Sequence, residues 1–513
     1  MIILNSAQSK ELEKEAVKSG KDYLQLMENA GTSAVRYLQK KYAFEQKKIV
    51  ILSGKGNNGG DGYVAARRLS ELGALVVVVL VQGLPATDIS NIMLSKLENT
   101  AVKIMNNDQN TEILRSMLAS ADYIIDAIYG TGFHGKVKEE LLPLFQMANE
   151  SSAKKISLDM PSGANCDTGE VEGACIRADD TITFSTLKNG HLLTPARYFS
   201  GQVVVVPIGI DLAFIKKQKR SFHVTEFEDV KALLKPRNPE SNKGDYGRLL
   251  CFCGSEGMAG AAIMSAKAAA RCGAGIIHTV LPRAIYGIVA SRVIESVYTL
   301  LDYNQDGLTP EALASLNSAL SKAGACLIGC GLGTGKNTAD AVCNLITNSK
   351  VPLIVDADGI NIIAENINVL QNVSVPIVLT PHPGEMARLC KTSVADIQAH
   401  RFQYAKMFAE KHHVILVLKG AGTIIALPNG EAYLNLTGNA GMAKGGSGDV
   451  LAGMIASFIA QKMDPAKAVA AAVYLHGEAG DRCARKLSQA AMLPTDLIEM
   501  LPELFLEVEK QSR

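Results

Sequence analysis

Toward the C-terminus, Asn439-Ala440-Gly441-Met442-Ala443-Lys444-Gly445-Gly446-Ser447-Gly448-Asp449 sets a glycine run directly before an apolar helical segment, Val450 to Gln461. Unpaired backbone N–H groups at such a helix start form an anion hole where phosphate charge can develop. Asp449, in the first turn, can take a proton from a nearby hydroxyl. The plainer use of an Asp at that position is to cap its own helix.

The first half carries a different set. Ser53-Gly54-Lys55-Gly56-Asn57-Asn58-Gly59-Gly60-Asp61-Gly62 follows an apolar strand and precedes a helical segment, Tyr63 to Leu72. Five glycines with two Asn and an Asp exceed what a strand-to-helix turn requires, and glycine lets backbone N–H groups approach an anion. The spacing is neither Walker A nor G-x-G-x-x-G. Two more strand ends carry carboxylates. They are Asp126, in Asp126-Ala127-Ile128-Tyr129-Gly130-Thr131-Gly132-Phe133-His134-Gly135, and Asp159, in Asp159-Met160-Pro161-Ser162-Gly163. In an open parallel sheet such ends converge on one edge, where they can hold a cation or move protons.

The second half adds further loops at strand ends. Lys243-Gly244-Asp245-Tyr246-Gly247-Arg248 leads into a strand that ends at Gly254-Ser255-Glu256-Gly257-Met258-Ala259-Gly260-Ala261. Gly329-Cys330-Gly331-Leu332-Gly333-Thr334-Gly335 has neither nucleotide-loop spacing. In Thr380-Pro381-His382-Pro383-Gly384-Glu385 a His between prolines suits ligand contact. Lys419-Gly420-Ala421-Gly422-Thr423 can lie along a nucleotide phosphate or ribose.

The elements positioning these residues read as α/β throughout. A chain of 513 residues exceeds one ordinary core, so two domains are expected. In the first half, helices at Ser6 to Lys18 (Ser6 as N-cap) and Asp22 to Lys40 precede a series of short apolar strands. These are 49–52, 75–81, 123–126, 155–159, 181–184 and 203–206. Val- and Ile-rich strands separated by helical segments predict a parallel sheet covered on both faces. The composition changes after Gly209. Lys216-Lys217-Gln218-Lys219-Arg220 reads as a solvated linker, and Lys235-Pro236-Arg237-Asn238-Pro239 resists regular structure, so the boundary falls between 212 and 235. A second series follows at 248–253, 275–281, 325–329, 353–356, 377–380 and 414–418. It ends in a hairpin around Pro428-Asn429-Gly430. Net charge is +1, which gives no global field toward nucleic acid or an anionic membrane. The apolar run Ala74 to Val81 is too short to span a bilayer, and Met1 to Glu15 lacks the apolar core of a secretory signal. Ten scattered cysteines without a C-x-x-C pair predict reduced thiols in a cytoplasmic protein.

Leu26-Met27-Glu28-Asn29-Ala30-Gly31, the Asn57–Gly62 loop, Asp126–Gly132 and Leu158–Gly163 together resemble the NAD(P)H-hydrate epimerase family over roughly residues 1–215. The resemblance implies a Rossmann-like three-layer sandwich and a potassium ion near Asn58, Asp126 and Ser162. It implies a hydrated nicotinamide nucleotide held by Asn57, Asn58, Gly59, Gly60 and Asp61. The same ligand would meet Gly130, Thr131, Gly132, Phe133, His134, Gly135, Lys136 and Asp159. Epimerising the C6 carbinol requires a C–O bond or the ring to open and re-form, for which Asp159 is the first candidate acid/base. His134 and Lys136 come second, because surface loops often carry such residues.

The second domain, 225–513, resembles NAD(P)H-hydrate dehydratase of the ribokinase-like superfamily over about residues 230–505. Lys243–Arg248, Gly254–Ala261, Thr380–Glu385, Lys419–Thr423, Asn439–Asp449 and His476-Gly477-Glu478-Ala479-Gly480-Asp481 carry that resemblance. It implies a three-layer α/β domain in which Lys419, Gly420, Ala421, Gly422, Thr423 and Gly448 contact an adenine nucleotide. Ala261, a glycine of the Gly331/Gly333 pair, His382 and Asp449 would face the substrate. Asp449 would deprotonate the C6 hydroxyl, phosphate would be transferred to it from ADP with Mg2+, and elimination would follow. The expectation is a cytoplasmic, bifunctional homo-oligomer acting on hydrated NADH and NADPH, with no nucleic acid or membrane partner. Two alternatives stay open: a vitamin-precursor kinase fused to a ligand-binding domain, since an anion hole plus Asp also equips a kinase, and a non-catalytic nucleotide-binding N-terminal module.

Overall fold

The computed structural model describes residues 2–107, 111–217, 222–234, 236–304, 307–371 and 373–511. The chain divides into two compact units, Met1–Ser221 and Phe222–Arg513. Of the basic run, Lys216 and Lys217 end a short helix, while Gln218–Arg220, like Lys235, lie outside the described residues.

The first unit starts with a short strand, β1 (Ile3–Leu4), and two helices, α1 (Ser6–Lys18) and α2 (Tyr23–Leu38). Then follow β2 (Lys48–Ser53), α3 (Asn57–Glu71), β3 (Leu75–Leu80), α4 (Asp88–Ser95), β4 (Lys103–Asn106), α5 (Thr111–Ser120) and β5 (Tyr123–Ala127). The series closes with α6 (Leu142–Glu150), β6 (Lys154–Leu158), β7 (Asp180–Phe184), β8 (Leu187–Lys188) and β9 (Gln202–Val206). Seven strands form one parallel sheet in the order β4-β3-β2-β5-β6-β7-β9. Successive side chains on a strand point to opposite faces. Ile49 and Ile51 of β2 accordingly join one apolar cluster with Val35 and Leu69 from α2 and α3. Val50 and Leu52 join another with Leu118 and Leu144 from α5 and α6. That alternation makes the unit a three-layer sandwich.

Three helix starts differ from the sequence reading. Asn5, not Ser6, caps α1: its side chain accepts from Gln8 N at 2.8 Å, and the Gln8 side chain accepts from Asn5 N at 2.9 Å. Ser6 instead donates to Asp167 through both N and Oγ, at 2.6 and 2.7 Å. Asp22 caps α2, which stops at Leu38. The largest difference is in the glycine-rich segment, where α3 begins at Asn57, so Asn57–Gly62 is helix and not loop. A Cβ on Gly59 would lie 2.0 Å from Gly54 O, one on Gly60 2.4 Å from Met27 Sδ, and one on Gly62 2.8 Å from Ala127 Cβ. These glycines let α3 press against the sheet and α2.

The second unit is built on one ten-stranded sheet. Its strands in chain order are β10 (His223–Val224), β11 (Arg248–Phe252), β12 (Ile276–Pro282) and β13 (Val297–Leu301). After the ribbon β14 (Tyr303–Asn304) and β15 (Gly307–Leu308) come β16 (Ala325–Ile328), β17 (Leu353–Val355), β18 (Ile377–Leu379), β19 (Ile415–Leu418), β20 (Thr423–Ala426) and β21 (Ala432–Asn435). The order is β10-β21-β20-β19-β18-β17-β16-β11-β12-β13, parallel except for the β19-β20 and β20-β21 pairs. Ala426 pairs with Ala432 across Pro428-Asn429-Gly430, the expected hairpin. Four helices matter for the site: α7 (Ala259–Arg271), α8 (Pro383–Cys390), α9 (Ser447–Ala460) and α10 (Pro465–Leu487). α9 starts three residues earlier than its apolar pattern suggests, so Ser447, Gly448 and Asp449 form its first turn. No side chain among the described residues caps it. Among the described residues no helix is long and apolar enough to cross a membrane, and all ten cysteines are free thiols.

α7 and α9 pack side by side over Leu249 and Cys251 of β11, with Ala262, Ala266, Val450 and Phe458 in the shared core. Their approach depends on Gly453, where a Cβ would sit 2.2 Å from Ser265 O. Gly453→Ala therefore lowers the stability of the second unit by about 1–3 kcal/mol, despite alanine's better helix propensity. Urea unfolding should show the loss; an unchanged or raised midpoint would contradict the packing.

Candidate functional site

In the first unit, the C-terminal ends of β2, β5 and β6 open into a cleft of about 760 Å3. Asp159 follows β6 with φ +64, a left-handed conformation that a non-glycine residue adopts at a cost. Its carboxylate is surrounded by donors. Oδ1 accepts from Lys188 Nζ at 2.7 Å and from Thr183 Oγ1 at 3.2 Å, and Oδ2 accepts from Thr131 N at 3.1 Å. Burial alone would push this carboxyl up, but the Lys188 ammonium beside it holds it below the usual range. Lys188 is itself buried and also donates to Thr183 Oγ1 and Phe184 O. His191 locks the corner: its Nδ1 accepts from Lys188 N at 3.1 Å, so Nε2 carries the proton and donates to Asp159 O at 2.7 Å. Burial, then the Lys188 charge, lowers this imidazole to about 4, which keeps it neutral.

Lys188 can neutralise one carboxylate, yet two more face the same cleft. Asp61, on α3, is pushed well above the ordinary aspartate value by burial and by the charges of Asp159 and Glu13. Glu13, on α1, is raised by burial and by Asp159. An ionised acid beside a protonated one is the arrangement that acid/base chemistry needs.

Beside this cluster lies a set of hard oxygen donors. Asp126 accepts from Ser157 Oγ, Ser162 N and Ser162 Oγ at 2.8, 2.8 and 2.5 Å. Both amide atoms of buried Asn58 lack a hydrogen-bond partner among the described residues. A buried amide in that state is costly unless a ligand completes it. The remaining expected residues divide. Asn57, Asn58, Asp61, Gly130, Thr131, Gly132, Phe133, His134 and Asp159 line the cleft, whereas Gly59, Gly60, Gly135 and Lys136 do not. Gly130 is where a Cβ would crowd both Asp159 and Asn58, at 3.1 and 3.3 Å from their oxygens.

The second unit repeats the arrangement with different elements. Asp356 follows β17, just before Ala357 at φ +51. Its Oδ1 accepts from Lys419 Nζ at 2.7 Å and from Thr380 Oγ1 at 2.7 Å. Asp449 stands beside it at the start of α9: Cys330, Asp356 and Asp449 bring one ligand atom each within 4.8 Å of one another. Burial and the Asp356 charge raise Asp449 to about 6. Gly446 enters α9 at φ +105, and a Cβ on Gly448 would lie 3.1 Å from Lys419 Nζ. Lys419 is thus committed to Asp356, with Glu385 Oε2 at 4.0 Å. Arg401, buried, holds the 419–423 loop by donating to the carbonyls of Leu418 and Lys419, both at 3.2 Å.

His382 caps α8: its Nδ1 accepts from Gly384 N at 2.9 Å, which leaves the proton on Nε2, 3.4 Å from Glu385 Oε1. Glu385 reaches back to His382 N at 2.8 Å, and burial lifts its carboxyl to about 7. Ala261 and Gly331 meet directly, since a Cβ on Gly331 would lie 2.8 Å from Ala261 Cβ. Gly333 has open space around its α-carbon, and its N–H donates to Asp358 at 2.8 Å.

The sequence reading misses Lys188, Glu13 and Asp356. Asp356 was within reach, because the strand-end rule that singles out Asp126 and Asp159 applies equally to Leu353–Asp356. Lys188 and Glu13 carry no local signal: one ends a two-residue strand, and the other sits among the charges of a polar helix.

Family models match both halves. The one for NAD(P)H-hydrate dehydratase matches residues 249–503, and the one for the YjeF-related protein N-terminus matches residues 23–190. A bifunctional NAD(P)H-hydrate repair enzyme from Moorella thermoacetica is 37% identical over 492 residues, covering 95% of this chain and 93% of that one. Its counterpart from Escherichia coli is 36% identical across 94% of this chain and 89% of its own length. A solved ribokinase-like superfamily protein from Enterococcus faecalis is similar with a TM-score of 0.51 and 27% identity, covering 57% of this chain and 98% of that one.

The charges around Asp449 predict opposite effects from two substitutions. The folded protein binds the Asp449 proton more tightly than the unfolded chain, so its stability falls as pH rises from about 4 to about 6 and stays lower above that. Asp449→Asn should then stabilise the second unit at pH 8, by on the order of 1–3 kcal/mol, and bring no gain near pH 3. Lys419→Met leaves Asp356 uncompensated and should destabilise it by about 3–5 kcal/mol. Urea titrations at both pH values check the signs; destabilisation by Asp449→Asn at pH 8 would refute the charge assignment.

Proposed function

The chain belongs to the family of bifunctional NAD(P)H-hydrate repair enzymes, and we propose that its first unit interconverts the R and S hydrates of NADH and NADPH while its second dehydrates the S form with ADP, giving AMP and phosphate. The observation that carries this reading is the pairing, in each unit, of a lysine-held aspartate with a neighbouring protonatable carboxyl, within a chain similar to repair enzymes along nearly its whole length. That full-length similarity favours repair over a small-molecule kinase with a nucleotide-binding appendage. It likewise favours a catalytic first unit over a scaffold.

In the first unit, Asp159 stays ionised through Lys188 and takes the proton of the C6 hydroxyl. Asn57, Asn58, Asp61 and the 130–134 loop hold the nucleotide in the cleft. The all-oxygen set of Asn58, Asp126 and Ser162 fits a potassium ion, with the unpartnered Asn58 amide as the strongest sign of it. Such an ion supplies positive charge for the anionic substrate.

In the second unit, Asp449 removes the proton from the C6 hydroxyl, and the oxygen attacks the terminal phosphorus of ADP as its bond to AMP breaks. The N–H groups at the start of α9 meet the charge that develops on the moving phosphoryl group. Phosphate then leaves C6 as a proton is lost from C5, which restores the dihydropyridine. Lys419, Gly420, Ala421, Gly422, Thr423 and Gly448 border the nucleotide, Mg2+ arrives with its phosphates, and Ala261, Gly331, Gly333 and His382 face the nicotinamide. Lys419 acts through its grip on Asp356, which it holds in place beside Asp449. Free thiols throughout fit a reducing cytoplasm.

The test follows the return of NADH absorbance from mixed R and S hydrates with ADP, Mg2+ and K+. Full recovery is expected; recovery that stalls at the S fraction would sink the epimerase claim, and recovery with ATP alone would replace the donor. Asp449→Asn should lower dehydration by roughly 10²–10⁴-fold while R/S interconversion continues, and Asp159→Asn should do the reverse. Dehydration by the unsubstituted chain should fall as pH drops through about 6, because Asp449 must be ionised to act.

A further inference from the structure

The N-terminal segment forms one wall of the epimerase cleft. β1 pairs in parallel with β8, in a register that sets Leu4 beside Lys188. Hydrogen bonds from N and Oγ of Ser6 to the Asp167 carboxylate fix the start of α1, which runs on from there. Ser9, Lys10, Leu12, Glu13 and Lys14 all line it. One acidic side chain on this wall, Glu13, is half-buried and turned toward Asp61 and Asp159.

Inverting C6 takes two proton transfers in each direction. When the ring opens, the C6 hydroxyl proton goes to a base and the C6–N1 bond breaks with its electron pair left on N1. N1 then takes a proton from an acid, and C6 becomes an aldehyde. Rotation about C5–C6 and the reverse steps close the ring with the other configuration. Asp159, ionised by Lys188, acts as the base at the hydroxyl; a second group that already carries a proton can protonate N1 as the C6–N1 bond breaks, without waiting for Asp159 to change roles. We propose that Glu13 is that acid, a second catalytic residue of the epimerase site that gives N1 its proton and takes it back on closure. This inference rests on the functional reading above.

The surrounding charges suit the role. Glu13 faces Asp159 and Lys188 at the strand ends and Asp61 on α3, with Lys10 on its own helix. Lys14, Lys55 and His134 border the same cleft, and His191 lies behind Asp159. Burial, then the Asp159 charge, raises both Glu13 and Asp61, and the charge of Lys188 only partly offsets this.

The experiment uses the full chain and purified R hydrate of NADH, with R-to-S conversion followed chromatographically without ADP. Glu13→Gln should lower kcat by on the order of 10²-fold, with KM changed little. The wild-type rate should decline at high pH, where the acid is lost, and Glu13→Gln should lack that decline while keeping the low-pH limb set by Asp159. Glu13→Asp should restore part of the rate and the high-pH limb, which a merely structural role would not do. Circular dichroism and dehydration of the S hydrate, a reaction of the other unit, confirm that the variants are folded. Glu13→Gln with a rate within threefold of wild type and an unchanged pH profile would overturn the proposal. A wild-type chain that does not interconvert the hydrates would overturn the functional reading instead.

Discussion

A carboxylate buried at a strand end needs a cation held against it, and both units meet that condition with one lysine. Lys188 reaches Asp159 and Lys419 reaches Asp356, each at 2.7 Å, and a threonine hydroxyl donates to the same oxygen in both. Taking such a pair out of water costs several kcal/mol per ion before the attraction is counted, so the geometry around it must be tight. Asp159 in the left-handed region and Ala357 beside Asp356 mark where the backbone bends to achieve it. With the lysine committed, the next carboxyl in each unit is left without a full counter-charge. Burial, and after it the charge of the lysine-held aspartate, raises Asp61 well above the ordinary aspartate value and Asp449 to about 6.

The parallel sheets put these groups in one place. Every strand that carries a site residue points the same end at the cleft, and the helices return the chain over the two faces. Small residues then set how close the helix starts can come. Gly59, Gly60 and Gly62 let α3 lie against β2, β5 and α2, which places Asn57, Asn58 and Asp61 at the cleft edge. Gly453 does the same for α7 and α9, and α9 delivers Asp449. Packing and chemistry are thus set by the same residues.

That overlap explains what the sequence discloses. The strands, the hairpin at Pro428-Asn429-Gly430 and the strand-end aspartates 126 and 159 follow from local pattern, because apolar period and turn chemistry are local properties. The glycine run 54–62 shows that something approaches closely, and the close neighbours of its α-carbons include Gly54, Met27 and Ala127, which glycine spacing alone does not disclose. Asn5 takes the cap from Ser6 because either side chain could accept at that helix start, and the Asp167 contact that employs Ser6 comes from a distant loop. Lys188 and Glu13 become meaningful only once β1 pairs with β8, a contact between residues nearly the length of the unit apart. Sequence pattern reports which groups can do chemistry; long-range pairing decides which of them meet.

For a repair enzyme this electrostatic economy has a functional sense. In the proposed mechanism both reactions start with a base at the C6 hydroxyl; one unit then returns the proton to the ring, whereas the other commits the oxygen to phosphate and expels it. The central claim is that burial and the charge of the lysine-bound aspartate together drive up the neighbouring carboxyl. Its most direct test is an infrared titration of the chain labelled with 13C-aspartate, taken as the difference between wild type and Asp449→Asn. The account predicts one carboxyl in that difference with a midpoint near 6. A midpoint near the ordinary aspartate value of about 4 would contradict it.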